Sequence, residues 1–480
     1  MKKKLKYKGD ILFVEHHLAH AASSFLVSPF KEAAILTTDG VGEWTTTAYG
    51  YGKDKEIELQ KEIKFPHSLG LLYSTITAYL GFSVNNSEYK VMGLAPYGNP
   101  NTYYDTFKEL LTVLPDGSFK LNMKYFAHEY GTRMTNNKFH RLFGHPPRKP
   151  EDTLEQHHKD IAAALQKITE EIVLKVVAHA KELHPSDNLC LAGGVALNCV
   201  ANGRILESGL FKNIYIQPAA GDAGGAIGAA SYLYFAVLKN EKKQSVMQSV
   251  YLGPEFSDEE VKTFLERKEN EFSEGLSYEH ISDESLSKKV GTLLSEDNVI
   301  GWFQGRMEFG PRALGNRSIL ADARKNDNWQ KVNLKIKYRE SFRPFAPSVL
   351  EEKRDEYFDL KGTPSPHMLL VAQVQKDTVP AITHVDNSAR IQSVSRTDNP
   401  RYYDLISSFY KLTRCPVIIN TSFNVRSEPI VCDPKDAFYC FMNTEMDYLV
   451  LGNYLIGKEE NPHLEKYVEK DKYLGSFELD

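Results

Sequence analysis

The stretch NIYIQPAAGDAGGAIGAASYLYFAVL, residues 213–238, passes from a short apolar run through small residues into a helix near Asp222. EAAILTTDG (32–40) and NLCLAGGVALN (188–198) repeat this design, with apolar runs that stop at an Asp-Gly or Gly-Gly pair. Strands that end in glycine-rich turns and lead into helices are typical of nucleotide-binding α/β domains. We therefore predict an α/β domain in the first half of the chain.

The chain has 480 residues, which is too long for one hydrophobic core and predicts two domains. A polar stretch after residue 238 breaks the composition, so we predict domains at 1–240 and 286–480 joined by a junction at 241–285. Apolar residues at helical spacing predict one long helix over 158–183. Strands are predicted in the second half at NVIGWFQG, HMLLVAQV, CPVIINTSF and DYLVLGNYLIG.

The bulk composition is that of an ordinary globular protein, with 42% hydrophobic and 25% charged residues. No apolar run approaches the roughly 18 residues that span a bilayer, so we expect a cytoplasmic protein with no membrane partner. A net charge of -5 provides no general basic field for nucleic acid, which is not expected as a partner. Five cysteines without a CxxC pair argue against a disulfide framework or a cysteine zinc site.

The stretch VEHHLAHAASSF (14–25) holds three histidines in five positions. On a helix, His16 and His20 would share one face, and so would His17 and His20. Two imidazoles leave a divalent ion under-coordinated, so either pair needs a carboxylate from elsewhere in the chain. Solvated or hydrogen-bonded histidines are the alternative interpretation at this point.

The three strand-to-turn corners contain the groups that a phosphorylated nucleotide needs. Glycine permits close approach of the backbone to phosphate, helix N-termini present N–H groups, and a neighbouring carboxylate can hold a metal. A tight structural turn is the alternative at each corner, but three such corners in one domain favour a nucleotide site.

Basic residues concentrate in GWFQGRMEFGPRALGNRSILADAR (301–324) and KIKYRESFRPFAPSV (335–349). They are Arg306, Arg312, Arg317, Lys337, Arg339 and Arg343. Since arginine binds phosphate in a bidentate manner, these stretches favour a basic pocket for a phosphorylated or carboxylated small molecule. The alternative is a set of surface ion pairs with Glu308, Glu340 and Asp322.

Long stretches between residue 14 and about residue 450 resemble, in order, the motifs of the NodU/CmcH-type O-carbamoyltransferases. They are HHLAHAASSF, TTDGVGEW, FPHSLGLLYS, EYKVMGLAPYG, LAGGVALN, AAGDAGGAIGAA, FQGRMEFGPRALGNRSIL, RESFRPFAPSV and INTSFNVRSEPIV. The resemblance implies an actin-like ATPase (ASKHA) domain followed by a YrdC-like α/β domain. It also implies that the YrdC-like domain makes carbamoyl adenylate from carbamoyl phosphate and ATP. The actin-like domain then transfers the carbamoyl group to a hydroxyl of a sugar or natural product.

The resemblance further implies the site residues. The metal ligands of the family fall on His16, His20, Asp39 and Asp222, which makes His17 a neighbour and not a ligand. The metal is divalent, and the resemblance favours iron, while manganese and zinc also suit mixed nitrogen and oxygen ligation.

The same resemblance places Gly193, Gly194 and Asn198 beside the nucleotide. In the second domain, the Lys-x-Arg motif of the family falls on Lys337 and Arg339. Its Ser-x-Asn motif falls on Ser422 and Asn424, and Arg390 matches a carbamoyl phosphate contact. Lys337, Arg339 and Asp39 are the expected catalytic residues.

The family carries a strand-rich segment ahead of the histidines, and the sequence starts almost at them. We therefore expect an actin-like domain that is incomplete at its start and is completed by a separate N-terminal piece, or a homodimer. The expected acceptor is a small molecule or a saccharide. One alternative is a truncated, inactive or scaffolding homologue that still binds nucleotide and carbamoyl phosphate. Another is carbamoylation in tRNA modification or hydrogenase maturation.

Overall fold

The structure is a computed structural model that describes residue 4, residues 6–241, residue 247, residues 249–340 and residues 342–477. Packing divides the chain into two compact units. Unit 1 comprises Met1–Leu71, Val176–Leu197 and Leu210–Met247, and unit 2 comprises Leu72–Lys175, Asn198–Gly209 and Gln248–Asp480. The domain boundaries predicted from composition stay a prediction.

The elements are labelled in chain order. The strands β1 to β16 are Glu32–Gly42, Thr45–Lys53, Glu56–Lys64, Leu111–Val113, Phe119–Leu121, Asn188–Ala192, Asn213–Ile216, Glu279–His280, Ile300–Phe303, Arg317–Asp322, Ala346–Leu350, Leu370–Gln373, Ser388–Val394, Val417–Ser422, Tyr448–Leu451 and Tyr454–Gly457. The α-helices α1 to α15 are His16–Phe25, Leu69–Tyr79, Glu88–Leu94, Tyr104–Leu110, Asn137–Phe143, Gln156–Leu183, Cys199–Ser208, Asp222–Ser231, Asp258–Glu271, Asp283–Ser295, Asp327–Gln330, Arg354–Tyr357, Pro400–Thr413, Pro434–Met442 and Lys470–Leu474. None of these helices has the length and apolarity that crossing a bilayer requires.

The sheet of unit 1 has the order β3-β2-β1-β6-β7. The strands β1, β2 and β3 pair in antiparallel fashion, whereas β1, β6 and β7 are parallel. The strands β1, β6 and β7 are the three that the glycine-rich corners predicted. Because carboxyl ends of parallel strands meet at one edge of a sheet, the turns that follow these strands are brought to the same edge.

Small residues let α1 and α8 pack closely inside unit 1. A Cβ atom at Gly228 of α8 would lie only 1.8 Å from the carbonyl oxygen of Ala19 in α1. Ala21, Ala22 and Phe25 of α1 belong to a buried hydrophobic cluster with residues of β1 and β6. The apolar face of α1 therefore packs on the sheet while its small residues accept α8.

His17 ties α1 to the hairpin of β1 and β2. Its Nδ1 lies 2.8 Å from Oγ1 of Thr37, and its Nε2 lies 2.9 Å from the carbonyl oxygen of Thr45. Burial lowers the pKa of His17 to about 4. His17 is thus a neutral, buried imidazole whose two nitrogens both form hydrogen bonds, and its role is structural.

The large sheet of unit 2 has the order β12-β13-β11-β14-β10-β9-β15-β16-β8. Strands β9, β12 and β14 fall within predicted strands, and α6 matches the predicted long helix to within two residues. The single strand predicted over residues 447–457 is wrong, because the chain forms the antiparallel hairpin of β15 and β16. Gly452 adopts a φ of 56° at its turn, a conformation that glycine adopts without strain. The α/β class is confirmed.

The close packing of α1 and α8 can be tested at one glycine. We expect Gly228→Ala to lower the free energy of unfolding by about 1 to 3 kcal/mol, because its methyl group would overlap the backbone of α1. Gly225→Ala in the same helix is the matched control, since a Cβ atom there meets nothing within 4 Å. It should be neutral or stabilising by up to about 1 kcal/mol. If the two substitutions changed the free energy of unfolding in urea equally, the close packing of α1 and α8 would be contradicted.

The buried His17 predicts a pH dependence of stability. Its pKa falls from an ordinary 6.5 to about 4 on folding, so the unfolded chain binds more protons between these values. Its contribution to stability is therefore fully present above about pH 6.5 and is lost as the pH falls toward 4. His17→Gln should flatten the curve of unfolding free energy against pH over this range, measured with a metal chelator present. Parallel curves for the two proteins would contradict this role.

Candidate metal centre and anion site

Four side chains predicted as metal ligands lie together in unit 1. Nε2 of His16 lies 3.0 Å from Nε2 of His20. Oδ2 of Asp39 lies 3.0 Å from the first nitrogen and 2.9 Å from the second. Oδ1 of Asp222 lies 3.5 Å from Nε2 of His16 and 3.7 Å from Nε2 of His20. All four ligand atoms lie within 4.8 Å of one another.

These separations fit a divalent cation. Ligand bonds of about 2.1 Å place neighbouring donor atoms about 3.0 Å apart at right angles and about 3.4 Å apart at the tetrahedral angle. Two neutral imidazoles and two carboxylates also carry two negative charges, which a divalent ion balances. The donor set suits iron, manganese or zinc and does not select among them.

Local structure aims each ligand at the cluster. His16 and His20 share one face of α1 because they are four residues apart. Oδ1 of Asp39 accepts hydrogen bonds from the N–H groups of Gly40 at 2.8 Å and Gly194 at 3.2 Å, which leaves Oδ2 to face the imidazoles. Asp222 is the first residue of α8, and its side chain is 79% exposed, so one side of the cluster is open to solvent.

The electrostatics of the cluster favour an ionised carboxylate. Burial opposes the ionisation of Asp39, but hydrogen bonds from His16 and His20 outweigh it and hold the pKa of Asp39 well below its usual range. The hydrogen bond to Asp39 in turn raises the pKa of His16. A proton and a metal would therefore compete for these atoms, and metal affinity should fall in acid.

The predicted nucleotide contacts of the first half lie in the segment between β6 and α7. Gly193 follows β6 with a φ of 90°, and a Cβ atom there would lie 2.3 Å from the carbonyl oxygen of Thr38. Gly193 and Gly194 thus lie against the end of β1. Asn198 caps α7 in unit 2, where its Oδ1 accepts from Ala201 and its amide pairs with Gln166. The roles of Gly193, Gly194 and Asn198 at a nucleotide stay predictions.

In unit 2, the predicted Lys-x-Arg and Ser-x-Asn segments meet at Lys337. Its Nζ donates to the carbonyl oxygens of Ser422 at 2.8 Å and Asn424 at 2.7 Å. It also donates to Oγ of Ser422 at 3.2 Å and to Oδ1 of Asn424. Because an ammonium group has three protons, these contacts occupy its donor capacity. Lys337 therefore shapes the loop and supplies positive charge at its centre.

Lys337 and four arginines form a linked cluster of positive charge. Burial lowers the pKa of Lys337, and Arg339 lowers it further. The pKa of Arg339 is lowered by burial and then by Arg343, and the pKa of Arg312 is lowered to about 9 by burial and then by Arg390. Among the described residues, Lys337, Arg312, Arg339 and Arg390 form no ion pair with a carboxylate. Such a cluster calls for an anionic ligand.

Two cations of the predicted basic pocket do not belong to this cluster. Arg317 is buried over the ring of Phe303 at 3.6 Å, and its guanidinium donates to the carbonyl oxygens of Gln304 and Gly305. Arg306 is exposed and donates to a backbone carbonyl 3.3 Å away. Arg317 is thus a structural residue, and the prediction of a ligand role for it is wrong.

Among the described residues, most of the ion pairs that the alternative interpretation required are absent. Glu308 accepts hydrogen bonds from backbone N–H groups of its own loop, at 2.7 and 2.8 Å. Asp322 pairs with Arg324 at 2.6 Å, outside the predicted set. Glu340 lies 3.3 Å from Lys90 and 3.7 Å from Arg343, so it alone among the three contacts a predicted cation.

Sequence reasoning missed two supporting side chains. Oγ of Ser68 donates to the carbonyl oxygen of Gly40 at 2.6 Å and holds the turn after Asp39. Its stretch FPHSLGLLYS is one of the family-like motifs, which could have pointed to it. Oδ1 of Asn333 accepts from Nε of Arg339 at 2.7 Å, and no signal in one sequence marks this contact.

Comparisons with known proteins agree with the earlier resemblance. Residues 1–231 match the family model "Carbamoyltransferase N-terminus", and residues 291–458 match "Carbamoyltransferase C-terminus". The chain is 52% identical to an uncharacterized protein of Synechocystis sp., with 100% of this chain and 82% of that protein covered.

Two nodulation proteins are also similar to the chain. Nodulation protein NolO of Bradyrhizobium diazoefficiens is 40% identical, with 93% of this chain and 79% of that protein covered. Nodulation protein NolNO of Sinorhizobium fredii is 40% identical, and the chain spans 64% of its length. The NodU/CmcH-type resemblance is confirmed, and the chain belongs to the carbamoyltransferase family.

Proposed function

We propose that this carbamoyltransferase is an ATP-dependent O-carbamoyltransferase. It forms carbamoyl adenylate from carbamoyl phosphate and ATP and transfers the carbamoyl group to a hydroxyl of a sugar or natural product. The observation that carries the proposal is the cluster of Lys337, Arg312, Arg339 and Arg390 in unit 2, which form no ion pair with a carboxylate among the described residues. Arginine forks bind phosphate oxygens in a bidentate manner, and Lys337, whose donors are occupied by its loop, adds a fixed positive charge nearby.

Adenylation solves a chemical difficulty of carbamoyl transfer. Carbamate is a poor electrophile because nitrogen donates into its carbonyl group and its leaving oxygen is very basic. In the proposed steps, water hydrolyses carbamoyl phosphate to carbamate and inorganic phosphate. A carbamate oxygen then attacks the α-phosphorus of ATP, and the bond to pyrophosphate breaks. Arg339 and Arg390 would stabilise the negative charge that develops on the departing phosphate groups. The product carries AMP as a good leaving group.

The second step requires the acceptor and the adenylate at the metal-ligand cluster of unit 1. The acceptor hydroxyl attacks the carbamoyl carbon, the bond to AMP breaks, and the hydroxyl proton leaves to solvent or a base. A divalent metal held by His16, His20, Asp39 and Asp222 would act as a Lewis acid toward the phosphate of the leaving group. Gly40 and Gly194 hold Asp39 in the orientation that this binding needs.

The metal assignment predicts separable losses. We expect His20→Ala to remove most of the bound divalent metal and the carbamoylation of an acceptor, because three donors remain and one of them is exposed. Carbamoyl phosphate-dependent exchange of pyrophosphate into ATP should survive. Metal content is measured by elemental analysis after dialysis. His184→Ala, at a ring stacked on Tyr51 in the same unit, is the control and should retain metal. If His20→Ala lost pyrophosphate exchange and bound metal to the same degree, the result would contradict separate metal and anion sites.

The proposed anion site predicts that a substitution in unit 2 abolishes exchange but leaves the metal content unchanged. Lys337→Ala should lower carbamoyl phosphate-dependent ATP–pyrophosphate exchange at least about 100-fold, because the charge and the shape of the Ser422–Asn424 loop are both lost. Metal content should not change. Lys335→Ala is the matched control, since its exposed ammonium pairs only with Glu445 at 3.2 Å among the described residues. Exchange at the wild-type rate in Lys337→Ala would overturn the assignment. Wild-type protein that binds both substrates without exchange would instead indicate an inactive, scaffolding homologue.

A further inference from the structure

Tyr473 of helix α15 contacts the loop whose residues Ser422 and Asn424 bind Lys337. The hydroxyl of Tyr473 donates a hydrogen bond to Oε1 of Glu428. Glu428 belongs to the loop that follows the predicted Ser-x-Asn motif. Tyr473 itself lies beyond residue 458, where the match to the C-terminal family model ends. A residue outside the matched family segment therefore contacts the loop that forms the anion site.

Glu428 closes this loop on itself. Its Oε2 accepts from the backbone N–H of Val425 at 2.7 Å, and its carbonyl oxygen accepts from Nδ2 of Asn424 at 2.5 Å. Oδ1 of Asn424 then receives Nζ of Lys337 and, at 2.7 Å, Oγ of Ser422. Tyr473 is thus linked to Lys337 in three contacts: its hydroxyl donates to the side chain of Glu428, the amide of Asn424 donates to the main-chain carbonyl oxygen of Glu428, and Lys337 donates to Asn424.

The hydroxyl of Tyr473 affects the charge state of the buried carboxylate of Glu428. Glu428 is 9% exposed, and burial raises its pKa, while the hydrogen bond from Tyr473 favours the ionised form. The positive charge of Lys337 acts on the same carboxylate. Without the hydroxyl, the buried carboxylate of Glu428 would lose one of its hydrogen-bond donors and would keep the N–H of Val425 and the thiol of Cys440. It would then take up a proton or draw the ammonium of Lys337 toward itself, and either change disturbs the loop.

We propose that Tyr473 is a positioning residue for carbamoyl phosphate: through Glu428 and Asn424 it holds the ammonium of Lys337 where the phosphate of the substrate binds. This inference rests on the proposed function of the unit 2 site. The competing explanation is that Tyr473 only anchors the C-terminal helix. The two differ in kinetics, because an anchor changes stability, whereas a positioning residue changes the KM of one substrate.

The test is Tyr473→Phe in the full chain, which deletes one oxygen atom and keeps the ring. We expect the KM for carbamoyl phosphate in ATP–pyrophosphate exchange to rise about tenfold, as the loss of one hydrogen bond to a charged group predicts. The KM for ATP and kcat should change less than about threefold, and metal content should stay at the wild-type level.

A matched control lies in the same C-terminal segment. The hydroxyl of Tyr467 accepts a hydrogen bond from the backbone N–H of Ser273 at 3.2 Å and lies 3.1 Å from its Oγ. Tyr467→Phe therefore deletes a comparable hydroxyl away from the Lys337 loop and should keep the wild-type KM for both substrates. Its thermal unfolding measures how much anchoring one hydroxyl in this segment provides.

A second variant tests the path through the carboxylate. Glu428→Gln keeps the shape of the side chain but offers one oxygen where two are used. It should raise the KM for carbamoyl phosphate to a similar degree. The double variant with Tyr473→Phe should not exceed the larger single effect, because both changes break the same series of contacts. Additive effects would show that the two residues act independently and would overturn the path.

The outcomes separate this inference from the proposed function. Wild-type protein without carbamoyl phosphate-dependent exchange would overturn both. Active wild-type protein with an unchanged KM in Tyr473→Phe would overturn the positioning role alone. A lower unfolding temperature in Tyr473→Phe with an unchanged KM would assign Tyr473 to anchoring and would likewise overturn it.

Discussion

The backbone of α8 approaches the backbone of α1 closely because residue 228 carries no side chain. The carbonyl oxygen of Ala19 occupies the place that a Cβ atom of Gly228 would take. Since α1 carries His16 and His20 and α8 begins with Asp222, this contact sets the distance between imidazoles and carboxylate. The parallel strand β1 then delivers Asp39 to the same point. A metal-ligand cluster built from three separate elements thus depends on one close backbone contact.

The two units concentrate opposite charge, and the contrast explains the chemistry that each can support. In unit 1, two carboxylates face two imidazoles, and the pKa of Asp39 lies well below its usual range. In unit 2, burial and mutual repulsion lower the pKa values of Lys337 and Arg339. The first arrangement suits a divalent cation, and the second suits an anion such as phosphate. Both kinds of ligand would take part in the ATP-dependent carbamoyl transfer that we propose.

The adjacent histidines show how little separates a ligand from a structural residue in the sequence. His16, His17 and His20 lie in one stretch, and spacing alone allowed either pair with His20. On the helix, the ring of His17 turns toward Thr37 and the hairpin, where both nitrogens find hydrogen-bond partners. The ring of His16 turns toward Asp39. A rotation of about 100° per residue along the helix therefore separates their environments.

Local pattern by itself predicted the strands β1, β6 and β7 and the long helix α6, whereas the resemblance to family motifs supplied the family and its candidate residues. The strands and the helix depend on apolar spacing and on glycine at strand ends, which neighbours in sequence specify. Local pattern failed to predict the role of a residue or the shape of a segment where contacts with residues distant in sequence determine it. The sequence predicted Arg317 as a ligand of the basic pocket, but its buried guanidinium donates to backbone carbonyl groups. It predicted residues 447–457 as one strand, but they form a hairpin. Tertiary structure alone decided that Lys337 is enclosed by Ser422 and Asn424, and that Tyr473 reaches their loop. Such contacts join residues far apart in the chain, and no local spacing encodes them.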